Sequence, residues 1–402
     1  MKKHTALVLI YLITLGNLFC QPDQNYISQF EGLQYTKELN SIVNQSALES
    51  VHWTYQSAPG FQQNQTAFHR TIAELEGWSF YPINSQGQLK DSMEVVLPHQ
   101  FPEKRDYHAG WYTKRIHLKK EKSKRIFLEL NRVDIFCRLV INGQIIGNHF
   151  GGFTPFEFDI TDYMNDGANI LALYVHDQTA SIDGNKAYNQ VGARRPWNFK
   201  FTGGIDSKPI LEKRNVVFMN DVFVKTSTRE KEMIIEYEVN NSLKQPRNTE
   251  IQFEVLKWPG GEPVSLDIPL TEKKLKAGNN ETFSFKVPWE NPELWSPENP
   301  NLYVLRARLS ANNQTEVFDT RFGFREFWID GKNFVLNGKT IRLRGESIYH
   351  KGLRGLETHR NTFRKQKKYF GVNAYRTAGR RKDVQIAADE IGVLFINQSA
   401  IW

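Results

Sequence analysis

The segment Phe334–His350 separates two different hydrophobic periodicities, and it constrains the fold more than any other part of the chain. Upstream of it, apolar residues alternate with polar ones in short runs, which predicts β-strands. Downstream of it, helix-like segments alternate with short apolar strands. Within it, Asn337-Gly338 predicts a two-residue hairpin turn, because a type I′ turn needs positive φ at both central residues. The chain is therefore predicted to change here from a β-rich architecture to a parallel βα architecture.

The β-rich part contains two groups of short strands. The first group lies between Leu75 and Asp177 and includes a second hairpin signal at Asn142-Gly143, so it predicts a sandwich or jelly roll. The second group lies between Asp221 and Arg321, and its length fits an immunoglobulin-like sandwich.

A proline-rich loop, Pro288–Asn301, interrupts the second group of strands. Proline fixes φ, so this loop is predicted to be stiff. Its Leu294-Trp295 pair is predicted to fill the gap between the second sandwich and a neighbouring domain.

The βα part is predicted to begin with the strand Ile341–Leu343. Helix Asn361–Phe370, strand Val372–Thr377, helix Val384–Ile391 and strand Val393–Ile396 follow. This order implies a parallel sheet, but three strands and two helices cannot close a barrel.

Residues 1–20 are predicted to be a signal peptide, because a positive start precedes the apolar run Ala6–Phe19. The protein is therefore expected to be exported to the periplasm, the outer membrane or the extracellular space. Cys20 is an alternative site for a lipid anchor, but Asn17-Leu18-Phe19 lacks the small residues expected before such a cysteine, which favours cleavage without lipidation. Cys137, the other cysteine, is predicted to be a buried and inert thiol.

The chain carries 52 Lys and Arg against 44 Asp and Glu, a formal charge of +8, which raises the question of nucleic-acid binding. The basic residues cluster in Lys119–Arg125, Arg364–Lys368 and Arg380–Lys382, without any nucleic-acid motif around them. Solvated surface is the better interpretation, so no nucleic-acid partner is predicted.

Several motifs occur in the order found in one enzyme family. They are Leu75–Phe80, Gly110–Tyr112, Val140–Gly143, His149–Ile160, Gly203–Ile205, Leu294–Tyr303, Phe322–Arg325, Leu336–Lys339, Leu343–Gly345 and Asn373–Arg376. No single motif is diagnostic, but together they resemble glycoside hydrolase family 2, the family of β-galactosidases, β-glucuronidases and β-mannosidases. The resemblance covers the chain from about Leu75 onward.

The resemblance implies a mostly β chain with three folded parts. They are a jelly-roll sugar-binding domain at residues 21–215, an immunoglobulin-like β-sandwich at 216–328, and the first βα units of a truncated (β/α)8 TIM barrel at 329–402. In such a barrel the active site lies at the carboxyl ends of the strands. In the family, one catalytic glutamate follows the fourth barrel strand and the other lies at the end of the seventh strand. Both are therefore expected beyond Trp402, and no catalytic residue is predicted within the chain.

Four residues match the family's substrate site. Arg376 resembles the arginine that orients the nucleophile, and a guanidinium suits this role because its charge is permanent. His350, or alternatively Tyr349, matches a histidine near the sugar pocket. Asn373 lies in the same motif as Arg376 and completes the predicted substrate-binding set.

The chain departs from the family at two sites. Gly379 replaces the usual histidine of the Arg-x-x-His motif, and Asn397-Gln398 carry amides where the family is acidic. Amides bind cations less well than carboxylates, so no metal and no cofactor are predicted.

Two functions are compatible with these observations. The first is an exported retaining β-glycoside hydrolase that acts on β-linked sugars in carbohydrate catabolism and is present here without its catalytic pair. The second is a non-catalytic carbohydrate-binding protein built from the accessory domains. A carbohydrate is the expected partner in both, and a homo-oligomer and a separate C-terminal catalytic portion are left open as protein partners.

Overall fold

A computed structural model describes ten stretches of the chain. They are residues 47–56, 66–68, 70–84, 88–102, 106–134, 136–151, 155–177, 203–347, 355–378 and 382–398. The predicted signal peptide lies outside the described residues. In the part of the chain that the structure describes, no helix is long and apolar enough to cross a membrane.

The described residues form strands and a few helices, numbered in chain order. The strands up to residue 215 are β1 Leu48–Ser50, β2 Thr54–Gln56, β3 Thr66–Phe68, β4 Arg70–Glu74, β5 Gly77–Asn84, β6 Met93–Val96, β7 His99–Gln100, β8 Tyr107–Leu118, β9 Lys124–Leu130, β10 Val133–Asp134, β11 Phe136–Ile141, β12 Gln144–Phe150, β13 Phe156–Asp159, β14 Gly167–His176, β15 Gly204–Ile205 and β16 Ile210–Asn215. A 3-10 helix, Thr161–Tyr163, precedes β14.

The later strands are β17 Val217–Ser227, β18 Glu232–Asn241, β19 Arg247–Trp258, β20 Pro263–Val264, β21 Thr271–Leu275, β22 Asn279–Pro288, β23 Leu302–Ala311, β24 Gln314–Phe322, β25 Phe327–Asp330, β26 Asn333–Leu336, β27 Lys339–Ile341, β28 Gly345–Ser347, β29 Ala374–Ala378 and β30 Leu394–Gln398. Two α-helices lie in the described part of the chain, α1 Leu356–Phe370 and α2 Lys382–Ile391. The chain divides into two compact units. Residues 72–212 are the main part of the first unit, and residues 213–399 with strands β2 and β3 belong to the second.

The first unit is a sandwich of two sheets around one core. One sheet has the order β12-β11-β14-β8-β5-β6, with β1 parallel to β8, and the other contains β13, β9, β16 and β4 in that order. Side chains from both sheets meet in the core, among them Phe80, Tyr112, Leu128 and Leu211, which are fully buried. The predicted jelly-roll fold is confirmed. Cys137 lies in β11, where burial raises the pKa of its thiol, as expected for an inert cysteine.

The second unit begins with a sandwich in which β17-β18-β22 faces the sheet β20-β19-β23-β24-β3. Strand β18 shows why this segment forms a strand, since buried and half-buried residues alternate along its whole length. Met233, Ile235, Tyr237 and Val239 point into the core, where they meet side chains of β19 and β23. The immunoglobulin-like prediction is confirmed.

Both predicted hairpin turns are present. Asn142 and Gly143 have φ values of 50° and 82°, and Asn337 and Gly338 have values of 51° and 81°. These values match the positive φ that a type I′ turn requires at both central positions. The second turn joins β26 to β27, and β25 completes a small three-stranded sheet.

The three-stranded sheet is held to the immunoglobulin-like sandwich by Glu326. The carboxylate is only 13% exposed and accepts hydrogen bonds from Ser227, Thr228 and Arg229. Burial by itself would raise the pKa of Glu326, but these hydrogen bonds outweigh it and lower the pKa to about 2. The native state therefore favours the ionised carboxylate.

We expect Glu326→Gln to destabilise the second unit by about 2 kcal/mol at pH 7, after allowance for the exposure of Arg229. Because the folded pKa is depressed, this contribution is present above pH 4.5 and is lost as the pH falls toward 2. Urea unfolding between pH 7 and 2.5 measures it. The parent should lose more stability than the variant over this range, whereas Glu290→Gln, at an exposed ion pair, should follow the parent. Parallel curves for parent and Glu326→Gln would contradict the prediction.

The second unit continues into a parallel sheet, β28-β29-β30, with α1 and α2 packed on one face. Phe363 of α1 contacts Tyr375 of β29, with ring centroids 4.7 Å apart, and Ala387 and Ala388 of α2 are fully buried in the same cluster. Helix α1 ends at Phe370, and the φ of 63° at the next residue, Gly371, allows the Gly371 N–H to reach the carbonyl oxygens of the last turn. The predicted opening of a barrel is confirmed at the level of fold.

The first parallel strand was predicted at Ile341–Leu343, and this prediction is wrong. Ile341 ends the antiparallel strand β27, where it pairs with Phe334, and the parallel strand starts at Gly345. The Asn373 amide is the physical reason. Its Nδ2 donates to the carbonyl of Arg342 at 2.9 Å and its Oδ1 accepts from the Arg344 N–H at 2.7 Å, so this carbonyl and this N–H bond a side chain instead of a strand.

Trp295 lies between the immunoglobulin-like sandwich and α2, as predicted. Its side chain is fully buried and its Nε1–H donates to the Asp389 carbonyl at 2.8 Å. The guanidinium of Arg325 lies 4.2 Å from its ring centroid. The ring therefore connects the sandwich to the βα segment through packing, a hydrogen bond and a cation–π contact.

Candidate functional site

The carboxyl ends of β28, β29 and β30 form the edge where a barrel active site would lie. Ser347, Arg376 and Ile396 occupy one row across the three strands. The neighbouring row contains Glu346, Tyr375 and Phe395. Since successive side chains of a strand point to opposite faces, the two rows face in opposite directions.

The row with Tyr375 faces the helices. Tyr375 and Phe395 both pack with Phe363 of α1. The Tyr375 hydroxyl is buried and has no hydrogen-bond partner among the described residues, and burial followed by the charge of Glu346 raises its pKa well above the ordinary value. Glu346 therefore lies in the row on the helix side and not in the row of Arg376.

Arg376 lies on the face that carries no helix. It is exposed, and Ser347 and Ile396 flank it in the neighbouring strands. This placement agrees with the face that a substrate-orienting arginine would need. Its role in orienting the nucleophile stays a prediction.

Asn373 lies at the start of this sheet, away from the carboxyl ends. It is 7% exposed, and its side-chain amide bonds the backbone of Arg342 and Arg344. Its backbone N–H also donates to the carbonyl of Arg344, at 3.1 Å. The amide therefore acts in the fold as a backbone clamp, and its predicted contact with substrate stays untested.

The other predicted site residues cannot be placed. Tyr349, His350 and Gly379 lie outside the described residues, and only the backbone of Asn397 and Gln398 is described, in β30. Within the described ranges, no group of three or more His, Cys, Asp or Glu side chains could hold a metal ion. The strand register that pairs Ser347 and Ile396 with Arg376 was not predicted, because register cannot be read from an isolated sequence.

Family comparisons agree with the order of these parts. Residues 87–199 match the sugar binding domain of glycosyl hydrolases family 2, and residues 217–325 match the model named glycosyl hydrolases family 2. The chain belongs to glycosyl hydrolases family 2. The family resemblance found in the sequence motifs is thereby confirmed.

Several members of the family are similar to this chain over most of its length. A β-galactosidase from Thermoanaerobacter pseudethanolicus is 27% identical over 325 residues, which are 76% of this chain and 42% of that protein. A β-glucuronidase from Streptococcus agalactiae is 28% identical over 357 residues, which are 82% of this chain and 57% of that protein. The structure of Bacteroides uniformis β-glucuronidase 2, covalently bound to cyclophellitol-6-carboxylate aziridine, matches with a TM-score of 0.67 and 25% identity over 83% of this chain and 42% of that one. This chain thus spans about half the length of these relatives.

Proposed function

We propose that this family 2 chain is the amino-terminal part of a retaining glycoside hydrolase that cleaves O-glycosidic bonds of β-linked sugars. The observation that carries the proposal is the position of Arg376. It lies on the helix-free face of a parallel sheet that follows the two sandwiches in the family's order. An arginine there can hold a carboxylate in a fixed orientation through its rigid set of donors.

We also propose that this chain does not hydrolyse glycosides by itself. Retaining hydrolysis needs two carboxyl groups about 5 Å apart, one that protonates the leaving oxygen and one that attacks the sugar carbon. The described parallel strands contain one carboxylate, Glu346, and it lies in the row on the helix side. The catalytic glutamates implied by the family belong to later strands of the barrel.

Export is part of the proposal and is supported by the charged and apolar residues before Cys20. The intact mass of the chain recovered outside the cytoplasm would show cleavage between Cys20 and Gln21. An N-terminus still beginning at Met1, or a mass raised by acyl chains on Cys20, would contradict it.

We expect the purified chain to release no product from aryl β-galactosides or aryl β-glucuronides above a buffer blank. A full-length member of the family serves as the positive control. Turnover by the chain that disappears in Glu346→Gln would contradict the proposal, because it would place a catalytic carboxylate within the described strands.

A fusion protein tests whether this chain can serve as the amino-terminal part of a glycosidase. In the fusion, this chain is joined to the carboxyl-terminal portion of the Thermoanaerobacter β-galactosidase that it does not match. The fusion should hydrolyse an aryl β-galactoside, and Arg376→Ala should lower its kcat by about 100-fold, the size typical of a lost electrostatic contact at a transition state. Arg364→Ala, which removes an exposed arginine of α1, is the matched control and should leave kcat unchanged. Equal activity of the Arg376→Ala fusion and its parent would contradict the assigned site.

A further inference from the structure

Five exposed cations lie on α1 and on the segment just before β28. They are Arg342, Arg344, Arg364, Lys365 and Lys368, and we call them the basic surface. Three of them lie on α1, where spacings of one, three and four residues place them on one outward side. His359 and Phe363 mark the opposite, buried side of this helix.

The other two cations are held beside the end of α1. The Arg344 Nε donates to the carbonyl of Gly371 at 2.6 Å, directly after the last helical residue. The backbone of Arg342 and Arg344 is fixed by the buried amide of Asn373. The basic surface is therefore built on regular structure and on hydrogen-bonded backbone.

Among the described residues none of these five cations forms an ion pair, and the Arg364 guanidinium donates only to the Asn361 amide, at 3.3 Å. The two other cations of α1 are used in the fold. Arg360 pairs with Glu357 and Glu390, and the Lys367 ammonium donates to the carbonyls of Pro297 and Ile391. The basic surface thus has charge available for a partner.

Two large aromatic rings adjoin this charge. Tyr369 is 67% exposed and Phe370 is 75% exposed, and the Lys368 ammonium lies 5.4 Å from the Tyr369 ring centroid. Cations near a helix C-terminus also stabilise the helix dipole, which accounts for Lys368. That effect does not explain the two exposed rings or the arginines outside the helix.

We propose that the basic surface binds an acidic polysaccharide. Carboxylate or sulfate groups of the polymer would contact the cations, and its sugar rings would lie on Tyr369 and Phe370. Active sites of barrels lie at the carboxyl ends of the strands, whereas Arg342 and Arg344 lie just before the amino end of β28, so a polymer held by these arginines leaves the candidate site accessible. The choice of a polysaccharide over another polyanion rests on the proposed glycosidase function. The charge and the exposure of the basic surface are observed independently of that function.

The test measures binding of the full chain to immobilised polygalacturonate and dextran sulfate at low ionic strength, with neutral dextran as the blank. The triple variant Arg364→Gln, Lys365→Gln and Lys368→Gln should bind both acidic polymers about tenfold more weakly, since each exposed charge contributes modestly. A charge-matched control, Lys119→Gln, Lys122→Gln and Lys332→Gln, changes exposed lysines elsewhere and should weaken binding less than about twofold. If the triple variant binds only polygalacturonate more weakly, the basic surface contacts carboxylates. If it binds only dextran sulfate more weakly, the basic surface contacts sulfates.

Tyr369→Ala separates a polysaccharide site from plain charge attraction, and it should weaken binding about threefold at unchanged net charge. Three outcomes overturn the inference. They are equal losses in the two triple variants, binding to double-stranded DNA tighter than to either polymer, and binding to anionic phospholipid vesicles tighter than to either polymer. None of these readouts depends on turnover, so a failure here is distinct from a failure of the glycosidase proposal.

Discussion

Glu390→Gln is expected to destabilise the second unit by about 3–5 kcal/mol, the cost of breaking a buried ion pair on one side. The Glu390 side chain is 7% exposed and forms ion pairs with two arginines, Arg321 of β24 and Arg360 of α1. Each is joined to it by a 2.6 Å contact. The Arg321 side chain is fully buried over the Trp258 ring, and burial lowers the pKa of its guanidinium. Without the carboxylate, the buried guanidinium of Arg321 would lose its ion pair with Glu390.

Urea unfolding and amide hydrogen exchange in α2 measure this loss. Arg321→Met should cost less than Glu390→Gln, because Glu390 keeps its contact with Arg360. Glu293→Gln is the matched control, since its ion pair with Lys257 is about half exposed and such pairs contribute little. A loss for Glu390→Gln no larger than that of this control would show that the buried pair does not hold α2 to the sandwich.

Trp295→Ala is expected to destabilise the second unit by about 3–5 kcal/mol, because it leaves a cavity in a fully buried position. The substitution also removes the donor to the Asp389 carbonyl and the ring beneath Arg325. Leu302 and Leu336, which pack in the same cluster, would line the cavity. The βα segment should separate from the sandwich before the sandwich itself unfolds.

Hydrogen exchange in α2 and β30, compared with β18, distinguishes this local separation from global unfolding. Trp295→Phe keeps most of the side-chain volume, so its loss of stability should be less than half of that of Trp295→Ala. Tyr369→Ala removes a ring that is 67% exposed and should leave the stability unchanged. Equal protection of α2 in Trp295→Ala and in the parent would contradict the role of Trp295 as the connection.

Local patterns predicted much of this fold. The burial alternation in β18 follows from the two-residue period of side chains along a strand. The Asn-Gly turns follow from the positive φ that these two residue types adopt easily. Both properties depend only on residues close together in the sequence. The order of the family motifs extended these local predictions to whole domains. Trp295 was found in the same way, because a tryptophan in a loop stiffened by prolines has few sites other than an adjoining core.

Local sequence patterns could not predict which charged side chains are buried. Arg321 and Glu390 are 69 residues apart, and in the sequence they look like ordinary surface residues of a strand and a helix. The same holds for the basic surface. Among the described residues Arg364 and Lys368 form no ion pair, whereas on the same helix Arg360 pairs with Glu390 and Lys367 donates to the Ile391 carbonyl. Pairing depends on which elements pack together, so only the tertiary structure separates these cations.

By itself, the sequence determined the two sandwiches, the change to parallel βα units and the presence of Arg376 on the second parallel strand, since each follows from local period, turn chemistry or motif order. The tertiary structure alone decided where the first parallel strand begins. Asn373 reaches across 29 residues to bond the backbone of Arg344, and this contact moves the start of the strand to Gly345. A side-chain amide that competes for backbone groups at such a distance leaves no local pattern, because its partners become neighbours only after the chain has folded.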